Sequence, residues 1–104
     1  MKIRTIGILS LKIETSVVDS NTIKLVTEEK DYGDGLVSIK ITLNADIYDL
    51  FKGEAINFDS GEMIASVDAE LFQYGSKHLL KGFWKESIDG KDQFFTWIAI
   101  IKKR

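Results

Sequence analysis

The sequence predicts a mainly β domain, all-β or α+β, built as an antiparallel meander of about seven strands that is barrel-like or two-layered. Two observations carry this prediction. β-branched and aromatic residues alternate with polar ones through most of the 104 residues, which is typical of strands with one buried face. Short turn signals, such as Gly75-Ser76 and Asp89-Gly90, separate these runs. We expect the whole chain, 1–104, to form a single domain.

The first part of the chain predicts three or four strands. Ile3–Val18 is interpreted as one long strand, or as two that break near Gly7. A polar turn follows, and Thr22–Thr27 returns as the next strand. Glu28–Gly35 carries four carboxylates and two glycines, which predicts a solvated loop. Leu36–Leu43 shows the clearest alternation of the chain, with every second residue apolar.

One segment, near 45–52, changes to a helical period. Ile47, Leu50 and Phe51 are spaced i, i+3, i+4 after a polar stretch that offers an N-cap. Gly53 stands where the helix would end. A helix of two turns is marginal in water by itself. We therefore expect its apolar residues to pack on the sheet.

The last half of the chain is a meander whose register follows from its turns. Two-residue turns fix which residues lie opposite each other in a hairpin. We take Ser60-Gly61, Gly75-Ser76 and Asp89-Gly90 as such turns. They set the following pairs opposite each other: Ile56 and Ala65, Phe58 and Met63, Val67 and Trp84, Ala69 and Gly82, Glu70 and Lys81, Phe72 and Leu79, Leu80 and Ala99, Gly82 and Trp97, and Trp84 and Phe95.

This register divides the meander into two faces. The core face is almost entirely apolar and holds Ile56, Phe58, Met63, Ala65, Val67, Ala69, Leu71, Leu80, Gly82, Trp84, Phe95, Trp97, Ala99 and Ile101. The second face mixes apolar and charged residues. A slip of one residue would exchange the two faces, so the clean separation supports the register.

The second face supplies a candidate interaction surface, which consists of Phe72, Leu79, Lys81, Phe83, Lys85, Phe94 and Ile98. The favoured interpretation is that the helix or the N-terminal strands cover its apolar part, while the lysines reach water. Self-association through this face is a second interpretation. A third is a single-stranded nucleic-acid-binding barrel, in which aromatic rings at Phe83 and Phe94 stack on bases and Lys81 and Lys85 contact phosphates.

A small apolar ligand is a further alternative. A calycin-like barrel would hold it in a cavity between Phe58, Trp84 and Trp97. Such a function requires open space beside the two tryptophans.

Composition limits the other classes of function. The net charge of −2 and the pI near 5.4 disfavour nucleic acid and anionic membranes as partners. No run approaches the roughly 20 apolar residues of a membrane span, so we expect no membrane association. The chain has no cysteine and a single histidine, His78, and no metal site, cofactor or catalytic group is predicted. The acidic residues of Glu28–Gly35 lack the order of a calcium loop.

The sequence therefore predicts a small non-catalytic interaction or regulatory protein that acts through a sheet surface. We expect its partner to be another protein or a second copy in a homodimer. A cytoplasmic location is predicted, because a cysteine-free chain fits a reducing compartment. The abundance of lysine and isoleucine, with arginine only at Arg4 and Arg104, suggests a bacterial or phage origin.

Overall fold

The computed structural model describes residues 7–31, 33, 35–46 and 50–102, which are 77% β-strand and contain no helix. These residues form ten strands: β1 (Ile8–Leu11), β2 (Ile13–Val18), β3 (Thr22–Thr27), β4 (Lys30–Asp31), β5 (Leu36–Val37), β6 (Ile39–Ala45), β7 (Phe51–Asn57), β8 (Met63–Tyr74), β9 (Lys77–Ile88) and β10 (Lys91–Lys102). Eight of them build one sheet in the order β1-β10-β9-β8-β7-β6-β3-β2, and β4 pairs with β5 separately. The large sheet curls strongly into a half-barrel. The predicted β meander is confirmed.

The N-terminal segment spans the two edges of the sheet. Its first part, β1, runs parallel to β10, whereas β2 runs antiparallel to β3. Only Lys12 separates β1 from β2, so the chain crosses from one edge to the other within one residue. The break in the predicted long strand therefore falls at Lys12 and not near Gly7.

Two glycines allow the sheet to bend. A Cβ on Gly53 would overlap the carbonyl oxygen of Thr42, and one on Gly82 would overlap the carbonyl oxygen of Asp68. The neighbouring strands therefore approach more closely at these points than a side chain would permit. Glycine in a strand interior often marks such a close approach or a barrel corner.

The core fills the concave side of the half-barrel. Trp84 and Trp97 are its largest buried residues, and their rings meet edge to face with centroids 6.3 Å apart. Both indole N–H groups have acceptors: Trp84 Nε1 donates to Glu86 Oε1 at 2.7 Å, and Trp97 Nε1 donates to the Asp68 carbonyl at 2.8 Å. The first bond explains why a carboxylate occurs at position 86 on the core side of a strand, since a buried indole N–H needs a partner.

The predicted register is correct for β8, β9 and β10. Trp84 lies opposite both Phe95 and Val67, and Gly82 lies opposite Trp97. The Gly75-Ser76 and Asp89-Gly90 turns have the backbone that the sequence implies, with positive φ at Gly75, Asp89 and Gly90. The core-face residues on these three strands are correspondingly buried or half-buried, from Ala65 to Ile101.

The predicted register between β7 and β8 is wrong. Ile56 pairs with Met63, and Ala55 pairs with Ala65 across a β-bulge. The connection is longer than a two-residue turn. The backbone N–H of Asn57 donates to the Glu62 carbonyl at 2.8 Å and closes the loop between these two residues. The side-chain oxygen of Asn57 also accepts the backbone N–H groups of two loop residues, Asp59 and Ser60, at 2.9 and 3.1 Å.

The shift removes three residues from the predicted core face. Ala55 takes the buried position on β7, and Ile56 is only half-buried. Phe58 and Met63 are 52% and 56% exposed. The apolar residues around the loop therefore belong to the surface.

The predicted helix near 45–52 is also wrong. β6 continues to Ala45, and β7 begins at Phe51, directly opposite it. Phe51 is buried as a strand residue, and Leu50 is exposed. The backbone amide of Asp46 donates to the Leu50 carbonyl at 2.8 Å, so this segment connects two strands of a hairpin. Ile47 lies outside the described residues.

Candidate interaction surface

The structure brings the residues of the predicted interaction surface together on the convex side of the half-barrel. Along β9 and β10, Lys85 lies opposite Phe94, Lys81 opposite Ile98, and Leu79 opposite Ile100. On the other side of β9, Phe72 of β8 also lies opposite Leu79. We name this surface the outer patch, and it consists of Phe72, Leu79, Lys81, Phe83, Lys85, Phe94, Ile98 and Ile100.

The outer patch is open. Phe72, Phe83 and Ile100 are 43%, 38% and 45% exposed. The covers expected from the sequence do not lie over it in the described part of the chain: no helix forms there, and β1 adds to the edge of the sheet beside β10. Successive residues of one strand point to opposite sides of the sheet. The residues of β8, β9 and β10 that pack in the core therefore alternate with the residues of the outer patch, which point away from the core.

The N-terminal strand enlarges the outer patch at its edge. Ile8 lies opposite Thr96, which in turn lies opposite Phe83, so the three residues form a row across β1, β10 and β9. Ile8 is 71% exposed. The sequence did not indicate this neighbour, because a parallel pairing between the two ends of a chain has no turn that fixes it.

Asp68 links the outer patch to the core. Its carboxylate Oδ1 accepts the backbone N–H of Phe83 at 2.9 Å, and its carbonyl accepts the indole N–H of Trp97 at 2.8 Å. The first bond holds the backbone of Phe83 where Gly82 brings β8 and β9 close together. Phe83 is therefore presented from a fixed backbone, as a docking residue needs to be.

Charges of both signs border the outer patch on the side of β7 and β8. A depression of about 240 Å³ lies there, and Lys52, Asp68, Glu70, Lys81 and Phe83 are among its lining residues. Glu70 lies opposite Lys81 in the register, as predicted. The surface thus combines apolar residues on β8, β9 and β10 with charged residues of both signs on β7, β8 and β9.

The residues of the predicted ligand cavity occupy different environments. Trp84 and Trp97 are 1% and 0% exposed and contact each other in the core. Phe58 follows β7 at the surface and is 52% exposed. Neither tryptophan lines the depression beside Phe83, the cleft beside Ser16 or the cleft beside Lys12.

Part of the predicted acidic loop, Lys30–Asp31, forms β4 and pairs with β5. Asp31 Oδ1 accepts the backbone N–H of Gly33 at 2.7 Å, a local bond typical of aspartate in turns. Asp34, which the sequence groups with it, lies outside the described residues. Within 7–31, 33, 35–46 and 50–102, no three histidine, aspartate or glutamate residues are grouped so that they could hold a metal ion.

Among the same residues, no helix is long and apolar enough to cross a membrane. Comparison of the chain with protein-family models, with curated proteins and with solved structures gives no match. The functional argument therefore depends on the geometry of this surface.

Proposed function

We propose that this protein is a small non-catalytic interaction protein with a regulatory role, and that it forms a homodimer through the outer patch. The observation that carries the proposal is the uncovered apolar surface around Phe72, Phe83 and Ile100. Contiguous exposed apolar surface on a folded domain commonly marks a site of protein association. We further propose a cytoplasmic location, for which the cysteine-free sequence is the support.

The distribution of charge favours a second copy as the partner. Lys81 and Lys85 lie on β9, and Asp68 and Glu70 lie on the adjacent β8. In a twofold dimer the same surface meets itself, so the lysines of one copy can lie over the carboxylates of the other. A nucleic acid would instead meet these carboxylates with its phosphates, which is unfavourable.

A substitution in the outer patch tests the proposal. We expect the wild-type protein to sediment as a dimer over a wide range of concentrations, and Phe83→Asp to sediment as a folded monomer. Phe72→Asp is a second variant, because it lies farther from the Asp68 carboxylate along the sheet. Val17→Asp is the matched control: Val17 is 46% exposed and lies opposite Lys24 on β3, away from the outer patch.

Three results would contradict the proposal. One is a wild-type protein that stays monomeric at every concentration. Another is dimerisation that persists when both phenylalanine variants are folded by circular dichroism. The third is salt-sensitive binding of a labelled single-stranded oligonucleotide that is lost in Lys81→Glu/Lys85→Glu, which would replace the homodimer by the nucleic-acid-binding alternative.

A further inference from the structure

The cleft beside Ser16 lies at one end of the half-barrel, between β2 and the ends of β9 and β10. β2 and β10 lie close to each other, but within the described part of the chain they form no strand ladder. Backbone hydrogen bonds therefore do not close the wall there. The cleft has a volume of about 710 Å³, within the range of roughly 300–1,000 Å³ for small-molecule pockets.

The core side of the cleft is mainly apolar. Ile101 is 2% exposed, and Ile13 is half-buried against the core. His78 lies opposite Ile101 and therefore on the same face of the sheet. Its Nδ1 is shielded from solvent and has no hydrogen-bond partner among the described residues. Since no bond to this nitrogen fixes the ring, rotation about the Cβ–Cγ bond can turn it toward a ligand.

The convex side of the cleft is positively charged. Lys77 and Lys102 lie opposite each other at the ends of β9 and β10, and both are exposed. Glu14 is the acidic residue among the described residues that line the cleft. Two lysines thus stand against one carboxylate here, although the whole chain has a net charge of −2. Such a local excess attracts anions, and ammonium groups form charge-assisted hydrogen bonds with carboxylates.

We propose that the cleft binds a small amphipathic anion, namely a carboxylate that carries a linear apolar chain. The apolar chain lies against Ile13 and Ile101, and the carboxylate accepts hydrogen bonds from Lys77 and Lys102. His78, which follows Lys77 in the chain and lies opposite Ile101, adds a donor between these two parts. The lysines repel a cation of the same shape.

The cleft shares one residue with the outer patch. Ile100 lines the cleft and is 45% exposed. It lies opposite Leu79, which lies opposite Phe72, so one row of side chains leads from the cleft across the outer patch. A ligand that covers Ile100 removes this residue from contact with a second copy. The ligand therefore opposes dimerisation, a step that rests on the proposed function, whereas binding to the cleft does not.

NMR of the His78 ring tests binding, because His78 is the only histidine of the chain and its ring signals are unambiguous. We expect octanoate, below its micelle concentration, to shift these signals saturably at neutral pH. Octylammonium has the same chain length and the opposite charge, and acetate has the charge without the chain; both should leave the signals unchanged at equal concentrations. The same titration of Phe83→Asp measures binding without dimerisation, since Phe83 does not line the cleft.

A double variant tests the role of the lysines. We expect Lys77→Gln/Lys102→Gln to weaken octanoate binding by about tenfold or more, through the loss of two charge-assisted contacts. Lys24→Gln/Lys91→Gln is the control, because it makes the same change in net charge at exposed residues that do not line the cleft. Dispersed NMR spectra of both variants establish that they are folded.

Sedimentation tests the effect on the homodimer. We expect saturating octanoate to convert the wild-type dimer into monomers, and acetate at the same ionic strength to leave it intact. The coupling is reciprocal, so dimerisation must weaken octanoate binding by the same factor. Phe83→Asp should therefore bind octanoate more tightly than the wild-type protein does at concentrations where the wild type is dimeric.

Several results would overturn the proposal. One is the absence of a saturable shift with octanoate in Phe83→Asp, and another is octylammonium that binds equally well. Equal affinities of the lysine variant and its control also exclude the site. Octanoate that binds while the wild-type protein stays dimeric overturns the effect on dimerisation. A monomeric wild-type protein that binds octanoate through the two lysines refutes the homodimer but supports the ligand site.

Discussion

Gly82→Ala tests whether close approach of β8 and β9 holds the core and the outer patch in register. The added Cβ would overlap the Asp68 carbonyl oxygen and come within 2.8 Å of the Ala69 Cα. Both contacts are with backbone, which cannot rotate away as a flexible side chain can. The strands must therefore separate at this point, although alanine is the smallest substitution available.

The expected loss of stability follows from the hydrogen bond that the Asp68 carbonyl accepts. It accepts the indole N–H of Trp97, which is 0% exposed. A buried donor that loses its acceptor costs about 1–3 kcal/mol, and the strain of an overpacked site adds about 1–3 kcal/mol. We therefore expect Gly82→Ala to lower the free energy of unfolding by about 2–6 kcal/mol, a large part of the roughly 5–15 kcal/mol of an ordinary domain.

Thermal and urea unfolding, followed by tryptophan fluorescence, measure this change. A loss of 2 kcal/mol lowers the melting temperature by at least about 8 °C in a domain of this size. Gly7→Ala is the matched control, because its Cβ would meet nothing closer than Phe95 Cδ1 at 3.8 Å. Equal melting temperatures for Gly82→Ala and Gly7→Ala would refute the close approach as the cause of the bend.

Two further substitutions test local features of the fold. Thr27→Val should lower the free energy of unfolding by about 1–3 kcal/mol, because the buried Thr27 hydroxyl accepts the Ile39 N–H at 2.9 Å. Urea unfolding should show no such loss for the control Thr15→Val, since Thr15 is exposed. Equal losses in the two variants would argue against a stabilising role of this bond. Asp89→Val should lower the melting temperature, since φ is 52° at Asp89 and a β-branched residue is strained there. Asp89→Asn should be tolerated, and a valine variant as stable as the asparagine variant would contradict the turn assignment.

The strand register could be predicted from the sequence where the residues of a turn allow only one loop length. An aspartate and a glycine with positive φ close the β9–β10 hairpin with two residues, and alternation then carries the register through both strands. The prediction failed at the β7–β8 connection, because the longer loop depends on a side chain, Asn57, that accepts two backbone N–H groups. Asparagine favours turns in general, but its presence does not specify the length of the loop.

The helix prediction failed for a different reason. The i, i+3, i+4 spacing that includes Leu50 and Phe51 is short, and a strand pattern fits the same residues. Pairing Ala45 with Phe51 extends two strands that six other register pairs already hold together, and it buries the Phe51 ring. A two-turn helix offers no comparable gain, since helices of this length depend on tertiary packing. The tertiary pairing therefore decided the local structure.

The same constraint explains why the outer patch is open. The segment Ile8–Val18 pairs with β10 along β1 and with β3 along β2. A segment that spans the two edges in this way adds to the sheet within its plane, so it leaves the outer patch uncovered.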